Sequence, residues 1–111
     1  MTKVVPFLRV ADAEASAAWY ARLGFSIDWR TRAQQPQPLF VAISNGEGQI
    51  FLSEHSGDAH PDGLLYLYVD DVDAVAADFG VDAELAYYGM REIELTDPDG
   101  NRLRIGTPAA A

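Results

Sequence analysis

A chain of 111 residues, 49% hydrophobic and 23% charged, has the material for one modest core, and that ordinary charged fraction excludes an intrinsically disordered segment. The absence of cysteine excludes a disulfide framework, thiolate metal sites and thiolate nucleophiles, and points to a reducing cytoplasm. A formal net charge of −9 argues against nucleic acid as a direct partner, because phosphate binding needs a basic footprint.

The charge is unevenly placed: residues 1–55 carry five Lys/Arg and five Asp/Glu, whereas residues 56–111 carry three and twelve. An acidic field of this kind concentrates cationic ligands, and it serves equally as a solubilising surface. Arg9, Asp12 and Glu14 interrupt the apolar runs near the N-terminus, so neither a signal peptide nor a membrane span fits, and no membrane partner is expected.

In chain order, KVVPFLRV has the β-branched and apolar content of a strand. Pro6 within it donates no ladder hydrogen bond and predicts an edge, a bulge or a crossing between subunits. Asp12 predicts the N-cap of a helix running through Leu23, with Gly24 free to adopt the left-handed conformation that ends it. Strands are predicted at FSIDWRTR, LFVAIS and QIFLSE, the last two joined by a hairpin at Asn45-Gly46-Glu47-Gly48. HSGDAHPDG, residues 55–63, reads as a linker. LLYLYV is then a strand, Asp71 caps a helix ending near Phe79 before Gly80, and weaker strands follow at ELAYY, REIELT and RLRIG.

The second half thus repeats the order of the first. Leu8, Val10 and Asp12 match Leu67, Val69 and Asp71 at an offset of 59; Val41, Ile43, Gly48 and Phe51 match Ile93, Leu95, Gly100 and Leu103 at an offset of 52. A duplicated βαβββ module is the simplest account, within a single domain spanning 1–111. The first module occupies 1–54, the second 64–106, and residues 107–111 form a frayed tail.

FLRVADAEASAAWYARLGF, VDDVDAVAADF and YGMREIELTDPDGNRLRI, in this order and spacing, resemble the vicinal oxygen chelate superfamily of glyoxalases, extradiol dioxygenases and bleomycin resistance proteins, and most closely its bleomycin-resistance branch. The resemblance implies an α+β fold in which two βαβββ modules form a curled mixed sheet, a cup completed in a homodimer. Pro6 matches a Val-Pro that in such proteins accompanies exchange of the N-terminal strand between protomers. In metal-dependent members His, Gln or Glu at four strand positions hold a divalent ion; carried over, these positions fall on Val5, Leu52, Leu64 and Arg104. None supplies a ligand: valine and leucine have no donor, and arginine adds a fixed cation. No metal or other cofactor is therefore expected.

Period-two alternation from those anchors turns Phe7, Arg9, Ile50, Leu52, Tyr66, Tyr68, Arg102 and Arg104 into the cup, and strand pairing adds Phe40, Glu92 and Glu94. Aromatic walls with a few charges suit a flat, polar organic ligand, although the same aromatics also suit a cup filled by its own side chains. Tyr87 and Tyr88 precede the REIEL strand where the resemblance implies an aromatic that stacks on the ligand. The second such region, Ala33 to Pro38, contains no aromatic, and Trp29 is either its substitute or core. Trp19 and Tyr20 on the first helix read as core packing.

His55, His60, Glu54, Asp58 and Asp62 lack a recognised ligand spacing and read as a solvated loop. Glu92 or Glu94 serves as a general base only if burial raises its pKa, which Arg91, Arg102 and Arg104 oppose. The expected function is sequestration of a small aromatic, cationic compound by a metal-independent binding protein. A glyoxalase-like lyase or dioxygenase with displaced ligands, and a metal-free isomerase or hydrolase using Glu92 or Glu94, are the alternatives.

Overall fold

A computed structural model describes residues 2–32 and 38–109. In chain order the elements are β1 (Phe7–Arg9), α1 (Ala13–Ala21), β2 (Ser26–Thr31), β3 (Phe40–Asn45), β4 (Gly48–Ser53), β5 (Leu64–Tyr68), α2 (Val72–Phe79), β6 (Glu84–Leu85), β7 (Met90–Thr96) and β8 (Arg102–Pro108). The repeated βαβββ order is thus present, as two four-stranded sheets ordered β1-β4-β3-β2 and β5-β8-β7-β6. In each sheet the first strand runs parallel to the fourth and the remaining pairs are antiparallel. The chain divides into two compact units, Met1–Gly63 with Asp97–Asn101, and Leu64–Thr96 with Arg102–Ala111.

Both helices begin as the sequence predicts. The Asp12 side chain accepts from the Ala15 N–H at 3.1 Å and that of Asp71 from the Ala74 N–H at 3.2 Å. Gly80 ends α2 in the left-handed conformation at φ 69°. In the first unit α1 turns Ala13, Ser16, Ala17 and Tyr20 inward, the spacing of one helical face, and packs on β2, β3 and β4. Leu8, Val41, Ile43, Ile50 and Leu52 are the buried apolar side chains of that sheet. In the second unit α2 packs on β7 and β8, where Ile93, Leu95, Leu103 and Ile105 are buried. Each such side chain contributes about 2 kcal/mol of transfer free energy, so these covered faces hold each sheet to its helix.

The fourth strand of the first module faces the other way from the sequence-based assignment. Val41 pairs with Leu52 and Ile93 with Ile105, so the module offset grows from 52 in the third strand to 53 in the fourth. The cause is the turn: four residues separate the paired Ser44 and Gln49, whereas five separate Thr96 and Arg102. A one-residue difference in a turn inverts every side chain beyond it. Leu52 (0% exposed) and Ile50 (2%) therefore lie on the covered face, and Phe51 is the counterpart of Arg104.

A second irregularity decides Trp29. Ile27 pairs with Ile43, but Trp29 pairs with Ala42, so Asp28 forms a β-bulge. Without the bulge Trp29 would share the face of Ile27; with it, the indole lies on the open face, 44% exposed.

The Asp97–Asn101 turn belongs to the first unit, and its side chains do more than shape the backbone. Buried Asp97 accepts from the Tyr20 hydroxyl at 2.8 Å, from Asn101 Nδ2 at 3.1 Å and from the Asp99 and Asn101 N–H groups at 2.9 Å each. Asn101 also donates to the Arg9 carbonyl at 3.0 Å and accepts from the Gly63 N–H at 2.9 Å. Asp99 accepts from the Ala11 N–H and Ser16 Oγ at 2.8 and 3.3 Å. Burial, reinforced by Asp97, pushes the Tyr20 phenol far above its usual range, so it remains a donor.

Several boundaries move: the predicted strand KVVPFLRV is a strand only at Phe7–Arg9, and α1 ends at Ala21 rather than Leu23. The predicted strand ELAYY is a strand only at Glu84–Leu85, because the chain turns at Ala86: the Gly89 N–H donates to the Ala86 carbonyl at 3.0 Å, and Gly89 has φ 87°. Thr107 and Pro108, assigned to the predicted frayed tail, belong to a strand instead. Strand β8 continues to Pro108, and Thr107 Oγ1 donates to the Val69 carbonyl while accepting from the Val72 N–H, both at 2.9 Å.

Candidate functional site

The open face of the first sheet is aromatic. Trp29 stacks on Phe40 with ring centroids 5.6 Å apart and planes 9° from parallel, while Phe7 meets Phe40 and Phe51 edge-on at 5.5 and 5.3 Å. Ala42 pairs with both Trp29 and Phe51, and its small side chain lets those rings approach to 5.5 Å across it. Phe7 remains 44% exposed. Arg9, two residues along β1, shares the face by alternation. Phe51 was absent from the sequence-based lining because of the turn-length error. Ala33 to Gln37, the loop expected to lack a stacking aromatic, lie outside the described residues.

The open face of the second sheet is polar and tyrosine-rich. Strand pairing puts Tyr66 beside Arg104 and Arg104 beside Glu94, with Leu64, Arg102 and Thr96 in the next row. Tyr68 and Glu92 flank Gly106. Glu94 accepts from Arg104 Nε at 3.2 Å and lies 3.7 Å from Arg102 Nη1, so arginines surround it. Glu92 is held differently. The Tyr66 and Tyr88 hydroxyls both donate to its Oε2, at 2.7 and 2.5 Å. These two bonds, Tyr88 first, and the charge of Arg104 hold the Glu92 carboxyl below the usual carboxylate range. A general base needs the opposite shift.

Gly106 makes the arrangement possible: a Cβ there would overlap the Tyr66 hydroxyl, so only glycine lets the phenol cross β8 to Glu92. Tyr87 is fully exposed and meets Tyr88 edge-on at 5.0 Å; of the two, Tyr88 is joined to the sheet face. Beside them a depression of about 310 Å³ is lined by Asp82, Glu84, Leu85, Ala86, Glu92, Ile93, Glu94 and Arg104. Glu84 entered it unannounced, because its pairing with Glu92 depends on a two-residue strand.

Three of the five donors in the 54–62 segment, Glu54, His55 and Asp58, have structural partners. Glu54 accepts from the Ala13 and Leu39 N–H groups at 2.9 and 3.0 Å, Asp58 from Ser53 Oγ at 2.5 Å, and His55 Nδ1 from the Gly57 N–H at 3.1 Å. Among the described residues no group of three or more His, Asp or Glu is placed to hold a metal ion. No helix among them is long and apolar enough to cross a membrane.

Two βαβββ sheets, each with one face covered by a helix and one open, define a glyoxalase-type α+β protein. The chain belongs to the glyoxalase superfamily, whose family model matches residues 1–109. No curated protein matches it in sequence. It is similar in fold to a bleomycin-binding protein complexed with bleomycin (22% identity, 96% of this chain and 98% of that one, TM-score 0.73). A bleomycin resistance determinant encoded on the transposon Tn5 is similar at 23% identity, 99% and 100% coverage and TM-score 0.75. TnmS3, an antibiotic binding protein from Streptomyces sp. CB03234, is similar at 23% identity, 98% and 97% coverage and TM-score 0.75.

The four positions that the resemblance assigns to a metal ion are, with the corrected register, Val5 just ahead of β1, Phe51, Leu64 and Arg104. Three of these side chains have no donor atom, and the fourth is a guanidinium engaged by Glu94. The residues present do not fit a divalent cation.

Proposed function

We propose that this chain binds and sequesters a small planar aromatic compound, without a metal and without making or breaking a bond. The observation that carries this reading is the open face of the first sheet, where Trp29, Phe40, Phe7 and Phe51 form a contiguous aromatic platform that the protein's own core does not consume. Exposed, preformed aromatic surface with charged groups at its margin suits a flat organic ligand. The antibiotic-binding proteins that share the fold support the same class of ligand. Arg9 adds to the first sheet's contacts in this proposal, and the second sheet by itself offers Tyr66, Tyr68, Tyr88, Glu92, Arg102 and Arg104, with Tyr87 at the exposed turn. Leu52, being covered, contributes to the core instead. The working assembly in this reading is a cytoplasmic homodimer, in which Pro6, just ahead of the edge strand β1, favours exchange of the N-terminal strand.

The test is a titration with bleomycin and a panel of other planar antibiotics, followed by tryptophan fluorescence in the wild type and in Trp19→Phe, which leaves Trp29 as the sole reporter. A saturable change in Trp29 emission is expected; no saturable response to any compound overturns the proposal. Elemental analysis of protein purified without chelator is expected to give no stoichiometric divalent metal, and finding one would defeat the metal-free part.

A further inference from the structure

We propose that Glu92 is a preorganised receptor for a protonated amine or guanidinium arm of a ligand held on the second sheet, with Tyr66, Tyr88 and Gly106 as its positioning residues. This rests on the ligand-binding reading and adds to it the residue that senses the ligand's charge.

Four separate observations converge on Glu92. The two carboxylates that β7 turns to the open face are treated oppositely: Glu94 is paired with arginines, whereas among the described residues Glu92 has no ion pair and only neutral phenol donors. Both phenols take the same oxygen, Oε2, so the carboxylate is fixed in orientation while Oε1 is left without a donor among the described residues. Fixing the phenol requires a glycine at 106, because a Cβ there would occupy the Tyr66 hydroxyl position. Finally, Glu84, on the two-residue edge strand β6, is the direct cross-strand partner of Glu92. Like charges directly opposite one another destabilise a strand pair, and a cation placed between them removes that repulsion.

A protonated amine or guanidinium fits this arrangement better than a neutral donor. The phenols satisfy one carboxylate oxygen without neutralising it, so the charge remains available to a bond of roughly double the neutral strength. Holding the carboxylate beforehand spares the ligand the cost of ordering it. The adjoining depression is also lined by Asp82, Glu84, Leu85 and Ala86, which suits an arm with a short alkyl stem.

The experiment uses two anthraquinones identical except that one carries a primary alkylamine arm and the other the corresponding alcohol. Each is titrated at low salt against the wild type, Glu92→Gln, Tyr66→Phe and Asp73→Asn. The last makes the same charge change as Glu92→Gln on α2, which packs against the covered face. The wild type and Asp73→Asn are expected to bind the amine at least tenfold more tightly than the alcohol. Glu92→Gln should bind both alike, at the affinity of the wild type for the alcohol. Tyr66→Phe should keep part of the preference while its Glu92 carboxyl titrates at higher pH by NMR, a change that simple loss of packing would not produce. Saturable binding of both compounds with equal affinity in the wild type, or an amine preference that survives Glu92→Gln, overturns the inference and leaves the ligand-binding reading standing. Absence of binding of either compound, together with the failed antibiotic panel, overturns both.

Discussion

The two modules share one pairing scheme and differ on the face that the scheme leaves free. Phe7 and Tyr66 occupy equivalent places, as do Phe51 and Arg104, Ala42 and Glu94, and Phe40 and Glu92. On the covered side the equivalents are Leu8 and Leu67, Leu52 and Ile105, Val41 and Ile93, all apolar. Apolar identity persists where a helix must be packed, and it is replaced by polar identity where nothing in the sheet requires it. The covered faces therefore set register and stability, while the open faces carry different chemistry, aromatic on the first sheet and phenolic and charged on the second.

The largest effect is expected at the turns, which distinguish the modules most. Replacing Asp97 by Ala strands the Tyr20 hydroxyl, the Asn101 amide and two backbone donors, and should cost about 4 kcal/mol in urea unfolding. Glu47→Ala in the exposed 45–48 hairpin should cost less than about 0.5 kcal/mol. Similar costs at both turns would break the distinction. Next in size, Leu52→Ala should destabilise the fold by about 3 kcal/mol through a core cavity, and Phe51→Ala by only about 1 kcal/mol while altering Trp29 fluorescence. The reverse ranking would restore the register predicted from the sequence. Gly106→Ala should cost about 1–2 kcal/mol, because the Tyr66 phenol must leave Glu92, and NMR should show the Tyr66 ring displaced while the β5–β8 amides keep their pairing.

The smallest effect is in the titration of the second open face. The folded Glu92 carboxyl lies below its unfolded value, chiefly through the Tyr88 and Tyr66 hydrogen bonds. Its contribution is thus complete above the ordinary glutamate pKa and is lost as pH falls through the lower folded value. Unfolding midpoints should therefore decline on acidification over that window, and the decline should be shallower in a Tyr66→Phe, Tyr88→Phe double variant. An equal decline in both proteins would show that Glu92 is not held by the phenols. The first open face has no such group among its aromatic residues and should contribute no slope there.

Element types, helix caps and the duplication were legible because each rests on local chemistry. Asp12 and Asp71 cap whatever helix follows them, Gly80 ends one, and apolar alternation marks strands. The polar residues of the second open face were legible too, since Tyr66, Glu92, Glu94, Arg102 and Arg104 sit on strands whose alternation is unbroken. The first open face was misread in its fourth strand, because its hairpin is one residue shorter than the 97–101 turn, and Trp29 was left undecided because the bulge at Asp28 interrupts the period of two. Tyr88 was expected as a stacking aromatic, but its bond to Glu92 depends on the chain turning at Ala86. Glu84 escaped notice for the same reason.

What the sequence determined by itself was the βαβββ repeat and the class of fold, which are properties of residue type and local spacing. Only the tertiary structure decided which aromatics reach an open face, that Asp97 and Asn101 tie a distant turn to Tyr20 and Arg9, and that Glu92 is held by phenols while Glu94 is held by arginines. The physical reason is that facing and partnership depend on register summed over whole strands. A single residue gained in a turn or a bulge changes them without changing any local propensity.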